Sequence, residues 1–176
     1  MNNDYATLLS AISFAAHMHR AQRRKDAEES PYINHPLALA HVLATEGEVS
    51  DLTTLIAAVL HDTIEDTETS YAELVDRFGK KVADVVMEVT DDKTLSKADR
   101  KRGQIEHAPH MSKRAALVKL ADKTCNLRDV AHSPPAAWPL KRKQEYFDWA
   151  KSVVDGLPVV NKKLLRAFEV ALAGRP

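Results

Sequence analysis

The sequence predicts an all-α fold in a single domain. Apolar residues recur at helical spacing nearly throughout, and capping residues and breakers fall where these runs begin and end. No repeat, low-complexity tract or linker divides the chain. Its 176 residues are enough for one hydrophobic core.

Asp4 is a candidate cap for a first helix, in which Leu8, Leu9, Ile12, Ala15, Ala16 and His19 keep helical spacing. A charged stretch from Arg20 to Glu29 follows and ends at Ser30-Pro31. Pro36 suits the first turn of a second helix, which puts His35 at its start. That helix is expected to run to about Glu46 and stop near Gly47. Ser50 or Asp51 caps the third, whose apolar run from Leu55 to Leu60 continues into His61-Asp62-Thr63-Ile64-Glu65-Asp66. Ser70 opens a short helix with Tyr71, Leu74, Val75 and Phe78 on one side, and Gly79 ends it. Val82, Val85, Val86 and Val89 are spaced for another helix, although their branching also suits a strand. Residues 91–107 are almost all polar and read as a solvated helix with a loop. A core helix starts at Lys113 and carries Leu117, Leu120, Thr124 and Leu127. The segment from His132 to Pro139 holds three prolines and is a connection. Leu140, Phe147, Ala150 and Val154 mark the next helix, stopped near Gly156-Leu157-Pro158; Leu164, Leu165, Phe168 and Leu172 mark the last.

Composition narrows the function. Lys and Arg number 25, as do Asp and Glu, so the formal net charge is zero and a broad electrostatic grip on nucleic acid is not expected. The single cysteine, Cys125, excludes an internal disulfide and points to a reducing compartment. Asp4 precedes the first apolar run where a secretory signal would carry Lys or Arg, and no apolar run approaches bilayer length. A cytoplasmic location with no membrane partner is the expectation.

The chemistry gathers around His61-Asp62. On one continuous helix, positions 61 and 65 share a stripe, as do 62 and 66, so a histidine and three acids crowd one side. Two carboxylates about 5 Å apart repel by roughly 3 kcal/mol at an effective dielectric of about 20. Protons, basic partners or a cation must offset that. The apolar run before His61 argues for burial, where a hydrated surface role does not apply. A second helix supplies Asp122 and Asn126, one turn apart in apolar surroundings. With His35 these make two imidazoles and two carboxylates, a set suited to six-coordinate Mn²⁺ or Fe²⁺ with open water positions; zinc is also compatible.

This order, a histidine, then His-Asp, then a distant Asp, resembles the HD-domain superfamily of metal-dependent phosphohydrolases. The stretch His61-Asp62-Thr63-Ile64-Glu65-Asp66-Thr67 resembles the extended signature of the RelA/SpoT hydrolase domain. Arg23-Arg24-Lys25 followed by Pro31-Tyr32-Ile33-Asn34-His35-Pro36 resembles its first motif. Glu88-Val89-Thr90-Asp91-Asp92-Lys93, the run from Val118 to Lys123 with Asn126-Leu127-Arg128, and the run from Gln144 to Ala150 are similar to later ones. Several motifs in the right order, from about residue 5 to 170, make the signal specific. It is nearest to the free-standing members, the small alarmone hydrolases and their metazoan SpoT homologue.

The resemblance implies a helical-bundle hydrolase of the alarmone (p)ppGpp, in which water cleaves the 3′-diphosphate from the ribose to release pyrophosphate and GDP or GTP. It implies one Mn²⁺ held by His35, His61, Asp62 and Asp122. Glu65 and Asp66 would position and deprotonate the attacking water. Asn126 would hydrogen-bond the ribose or water, Arg24 would stack on the base, and Lys25 would contact nearby substrate groups. Lys97, Arg142 and Tyr146 would line the phosphate and nucleoside side. The same metal site also suits ppApp or the 2′-phosphate of NADPH. A non-catalytic nucleotide-binding regulator, or another HD phosphohydrolase, is the remaining alternative; the intact ligand and acid set counts against the regulator.

Thr124-Cys125 replaces the bulkier pair usual in the long bifunctional enzymes. Cys125 has helix neighbours that suggest burial, which makes a nucleophilic role unattractive. Synthetase, TGS and ACT domains are not expected within these 176 residues. His17, His19, His41, His107, His110 and His132 fall outside the motifs and read as packing or surface residues.

Overall fold

The computed structural model describes residues 4–158 and 161–176. Among them are α1 (Asp4–Met18), α2 (Asn34–Thr45), α3 (Leu52–Leu60), α4 (Thr63–Asp66), α5 (Tyr71–Phe78), α6 (Lys80–Val89), α7 (Lys97–His107), a 3₁₀ turn (Ala108–His110), α8 (Lys113–His132), α9 (Leu140–Gly156) and α10 (Lys162–Ala173). No strand occurs among the described residues; one isolated antiparallel bridge joins Arg23 and Pro31.

Helices α3 and α8 form the centre. Ile56, Ala57, Ala58, Val59 and Leu60 are all buried, as the apolar run demands, and α3 packs on α1, α2, α6 and α8. Helix α8 touches α2, α3, α6, α9 and α10, and buries Val118, Leu120, Ala121, Cys125 and Leu127. Two tethers hold α8 against its neighbours, one to α3 and one to α2. The Asp51 side chain caps α3 by accepting from Thr54 N at 3.0 Å, and it also accepts from Arg114 Nε at 2.8 Å. Asp51, rather than Ser50, is therefore the cap. Arg128 grips Glu46 with two hydrogen bonds of 2.6 and 2.8 Å, tying α8 to the end of α2.

Most expected boundaries fall within a few residues of those observed. Ser70 caps α5 by accepting from Glu73 N at 3.1 Å, and Gly79 takes the φ of 85° that lets α5 turn directly into α6. The valine-rich segment is the helix α6, with Val82, Val85, Val86 and Val89 buried on one face. Helix α7 has no buried residue, as its polar sequence requires. Asp4 lies inside the first turn of α1.

The continuous helix through residue 66 is the main correction. Helix α3 ends at Leu60, and His61-Asp62 form a turn before the short α4. Asp62 adopts φ −98° and ψ −1°, and the Thr63 hydroxyl donates to Leu60 O at 2.7 Å, taking a carbonyl that the continuing helix would have used. The break turns His61 and Asp62 towards α2 and α8.

Candidate active site

Three segments bring the four predicted ligands together. His35 arrives from the first turn of α2, His61 and Asp62 from the turn after α3, and Asp122 from the middle of α8. A donor atom from each of His35, His61 and Asp62 lies within 4.8 Å of the others. Asp122 Oδ1 is 3.2 Å from His35 Nε2 and 3.9 Å from His61 Nε2. Both imidazoles are buried, and the two carboxylates are largely so.

Three of the four candidate ligands, His61, Asp62 and Asp122, are each oriented by a partner behind them. His61 donates from Nδ1 to Ala58 O at 2.9 Å, which leaves Nε2 to face the cluster. That Nε2 is buried and makes no hydrogen bond, although Asp62 Oδ2 is only 2.9 Å away. A bare imidazole nitrogen beside two carboxylates is the arrangement a divalent cation completes. The Tyr32 hydroxyl donates to Asp62 Oδ2. Asp122 accepts from Asn126 Nδ2 at 2.6 Å and from the buried Lys123 Nζ at 3.1 Å. The residues therefore fit a metal ion of borderline to hard character.

The electrostatics agree. Burial disfavours charge on His61, yet Asp62 and Asp122 lift its pKa to about 9. Burial likewise opposes ionisation of Asp62, but the adjacent His61 holds it below the usual carboxylate range. Asp122 is held well below that range by Lys123 and His35, again against burial. The site keeps its two acids ionised and pulls positive charge towards them.

Glu65 and Asp66 flank this cluster on α4. Burial raises the Glu65 pKa, with Asp62 and other acids adding to it, while Asp91 N donates to its Oε2 at 3.1 Å. Asp66 is held on both oxygens, by Lys93 at Oδ1 and by Gln22 Nε2 at Oδ2, 3.3 Å away.

A cavity of about 550 Å³ opens beside the cluster and meets it at His35, Asp66 and Asn126. Arg24, Lys25 and Tyr146 line its walls. Arg24 stacks over the Tyr32 ring at 5.8 Å and pairs with Asp129. Lys97 and Arg142 do not line this cavity. Arg142 stacks on Trp138, which does, at 4.4 Å. Burial and then the charges of Arg142, Lys25 and Arg100 lower the Lys97 pKa, so these cations form one positive cluster.

Tyr32, Lys93 and Lys123 were visible in the motif stretches without a partner to give them a role. Gln22 and Trp138 lay in a charged loop and a proline-rich connection, where no spacing marks a site. Arg24 N donates to Ser30 O at 2.8 Å and Tyr32 N to Gln22 O at 3.1 Å, so the charged stretch folds back on itself. That closure carries Gln22 and Arg24 to the cavity.

The fold and this cluster define a helical protein built around a His-Asp cluster of metal-ligand type. The HD domain family model matches residues 11–148, and the chain belongs to that family. A guanosine-3′,5′-bis(diphosphate) 3′-pyrophosphohydrolase MESH1 from Xenopus tropicalis is 54% identical over 164 residues, covering 93% of this chain and 92% of its own. The Homo sapiens protein of the same name is 52% identical over 169 residues, covering 96% and 94%. A solved structure of a metazoan SpoT orthologue, described as hydrolysing ppGpp with a role in starvation responses, superposes with a TM-score of 0.93 at 44% identity. It covers 97% of this chain and 96% of that one.

Proposed function

We propose that this enzyme is a (p)ppGpp 3′-pyrophosphohydrolase that works with one Mn²⁺, the whole chain acting as a single HD-type domain. The observation that carries the proposal is the convergence of the His35, His61 and Asp62 donor atoms within 4.8 Å, beside two further acids and a cavity with basic walls. Relatives over nearly the full length bear the same activity in their names.

His35, His61, Asp62 and Asp122 would hold the metal, and two nitrogens with two carboxylate oxygens suit manganese. A divalent ion there acidifies water and offsets charge on the reacting phosphate. Glu65 and Asp66 together position the attacking water and accept its one proton; burial raises the Glu65 pKa and makes it a better proton acceptor than an ordinary carboxylate. Water oxygen bonds to the phosphorus next to the ribose, the bond from that phosphorus to the 3′-oxygen breaks, and the 3′-oxygen takes up a proton. The products are pyrophosphate and GDP, or GTP from the pentaphosphate.

The chain's cations answer the charge of the substrate. Lys25, Lys97 and Arg142 offset the phosphates, which must approach a cluster of acids. Arg24 offers its guanidinium plane to the base, and its pairing with Asp129 fixes that plane. Asn126, already bonded to Asp122, reaches the ribose, and Tyr146 walls the nucleoside.

The test is a parallel assay of metal-stripped protein on ppGpp, ppApp and NADPH, with and without Mn²⁺. Mn²⁺-dependent pyrophosphate release from ppGpp is expected to be the fastest reaction. Turnover of ppApp or NADPH alone would overturn the substrate assignment.

A further inference from the structure

His19 lies outside every motif described above, yet it is 2% exposed and touches two arms of the site. Its Nδ1 is 2.6 Å from Gln22 Oε1, and Gln22 Nε2 is 3.3 Å from Asp66 Oδ2. Its ring also lies against Tyr32, with centroids 4.8 Å apart at 33°, and the Tyr32 hydroxyl donates to the metal-ligand candidate Asp62.

We propose that His19 is a positioning residue for Asp66, acting through the side-chain amide of Gln22. The inference rests on the reading in which Asp66 handles the attacking water. Hydrogen-bond logic fixes the direction of the chain. An ionised Asp66 only accepts, so Gln22 must turn its NH₂ towards Asp66. The Gln22 carbonyl oxygen then faces His19, and an acceptor oxygen at 2.6 Å requires a hydrogen on Nδ1. His19 Nδ1–H thereby locks the amide against the flipped orientation, in which two oxygens would oppose each other at Asp66. Lys93 holds the other Asp66 oxygen, so the carboxylate has one rotational setting.

The decisive measurements separate this link from packing. His19→Phe keeps a flat ring on Tyr32 and removes the Nδ1–H; Gln22→Met removes the amide from a half-buried side chain. Each is expected to lower kcat about tenfold, the scale of lost orienting partners, with Mn²⁺ affinity unchanged; His19→Phe, away from the cavity wall, should leave KM unchanged as well. The double variant should be no slower than the slower single, because both act through one chain. Two-bond ¹⁵N–¹H correlation spectra of labelled wild type should place the hydrogen on His19 Nδ1. A bare Nδ1, additive losses in the double variant, or an unchanged kcat would each overturn the proposal. An inactive wild type would sink the ppGpp reading instead, and the spectra would still decide the His19–Gln22 link.

Discussion

Asp62 and Glu65 sit three residues apart in different surroundings. Asp62 is half-buried against His61 with Tyr32 behind it, whereas Glu65 accepts from the backbone N–H of Asp91. Asp62→Ala should abolish turnover and greatly weaken Mn²⁺ binding. Glu65→Ala should abolish turnover with metal binding retained. Calorimetric Mn²⁺ titration of both variants checks this, and equal metal loss would show that Glu65 is a ligand. Tyr32→Phe removes only the hydroxyl that orients Asp62, so Mn²⁺ should bind about tenfold more weakly. Cys125 supplies a control at the same scale. It is 4% exposed, and burial pushes its thiol up to about 12. Iodoacetamide at pH 8 should leave native protein unmodified and label it after unfolding; rapid native labelling would contradict the burial. The site's residue types were legible in the sequence because ligand spacing and family motifs name them. Their partners were not: Tyr32 meets Asp62 and Lys93 meets Asp66 across dozens of residues of intervening chain, and only the packing of α2, α4 and the segment after α6 brings them together.

At the level of elements, the informative failure is the helix break at His61-Asp62. Neither Gly nor Pro marks it, and the apolar run enters it without a change of period. The break is made by contacts, the Thr63 hydroxyl on Leu60 O and the His61 ring on Ala58 O, which compete with the helix for its last carbonyls. Helix starts were legible where a side chain caps them, as at Asp51 and Ser70. The cap at Asp51 yields a stability prediction. Asp51→Ala loses the α3 cap and the Arg114 link to α8, and should cost about 1–2 kcal/mol, lowering Tm by roughly 2–8 °C. The hydrogen bond from Arg114, opposed by burial and aided by Thr54, lowers the Asp51 pKa to about 2. A lowered carboxyl pKa stabilises the fold above the unfolded value, near 4, and that contribution disappears as pH falls towards 2. Urea midpoints of wild type and Asp51→Ala should therefore differ most near neutral pH and converge as pH drops from 5 to 2.5. A constant gap would show that the ionised carboxylate is not the source.

Across the whole molecule, residues from three distant parts of the chain meet between the end of α3 and the middle of α8. The site is a product of the bundle: α2 brings His35, the turn after α3 brings His61 and Asp62, and α8 brings Asp122 and Asn126. Amphipathic spacing made the bundle legible, since the core helices show which face they bury, while the polar α7 buries none. The cavity was not legible, because its walls include a folded-back loop and the Trp138 connection, whose positions follow from tertiary contact alone. One measurement addresses the central claim directly, hydrolysis of ppGpp in ¹⁸O-water with Mn²⁺, followed by mass spectrometry of both products. Attack at phosphorus predicts one ¹⁸O in pyrophosphate and none in GDP, with no reaction when metal is withheld. Label in the GDP 3′-hydroxyl, or inorganic phosphate in place of pyrophosphate, would contradict the account.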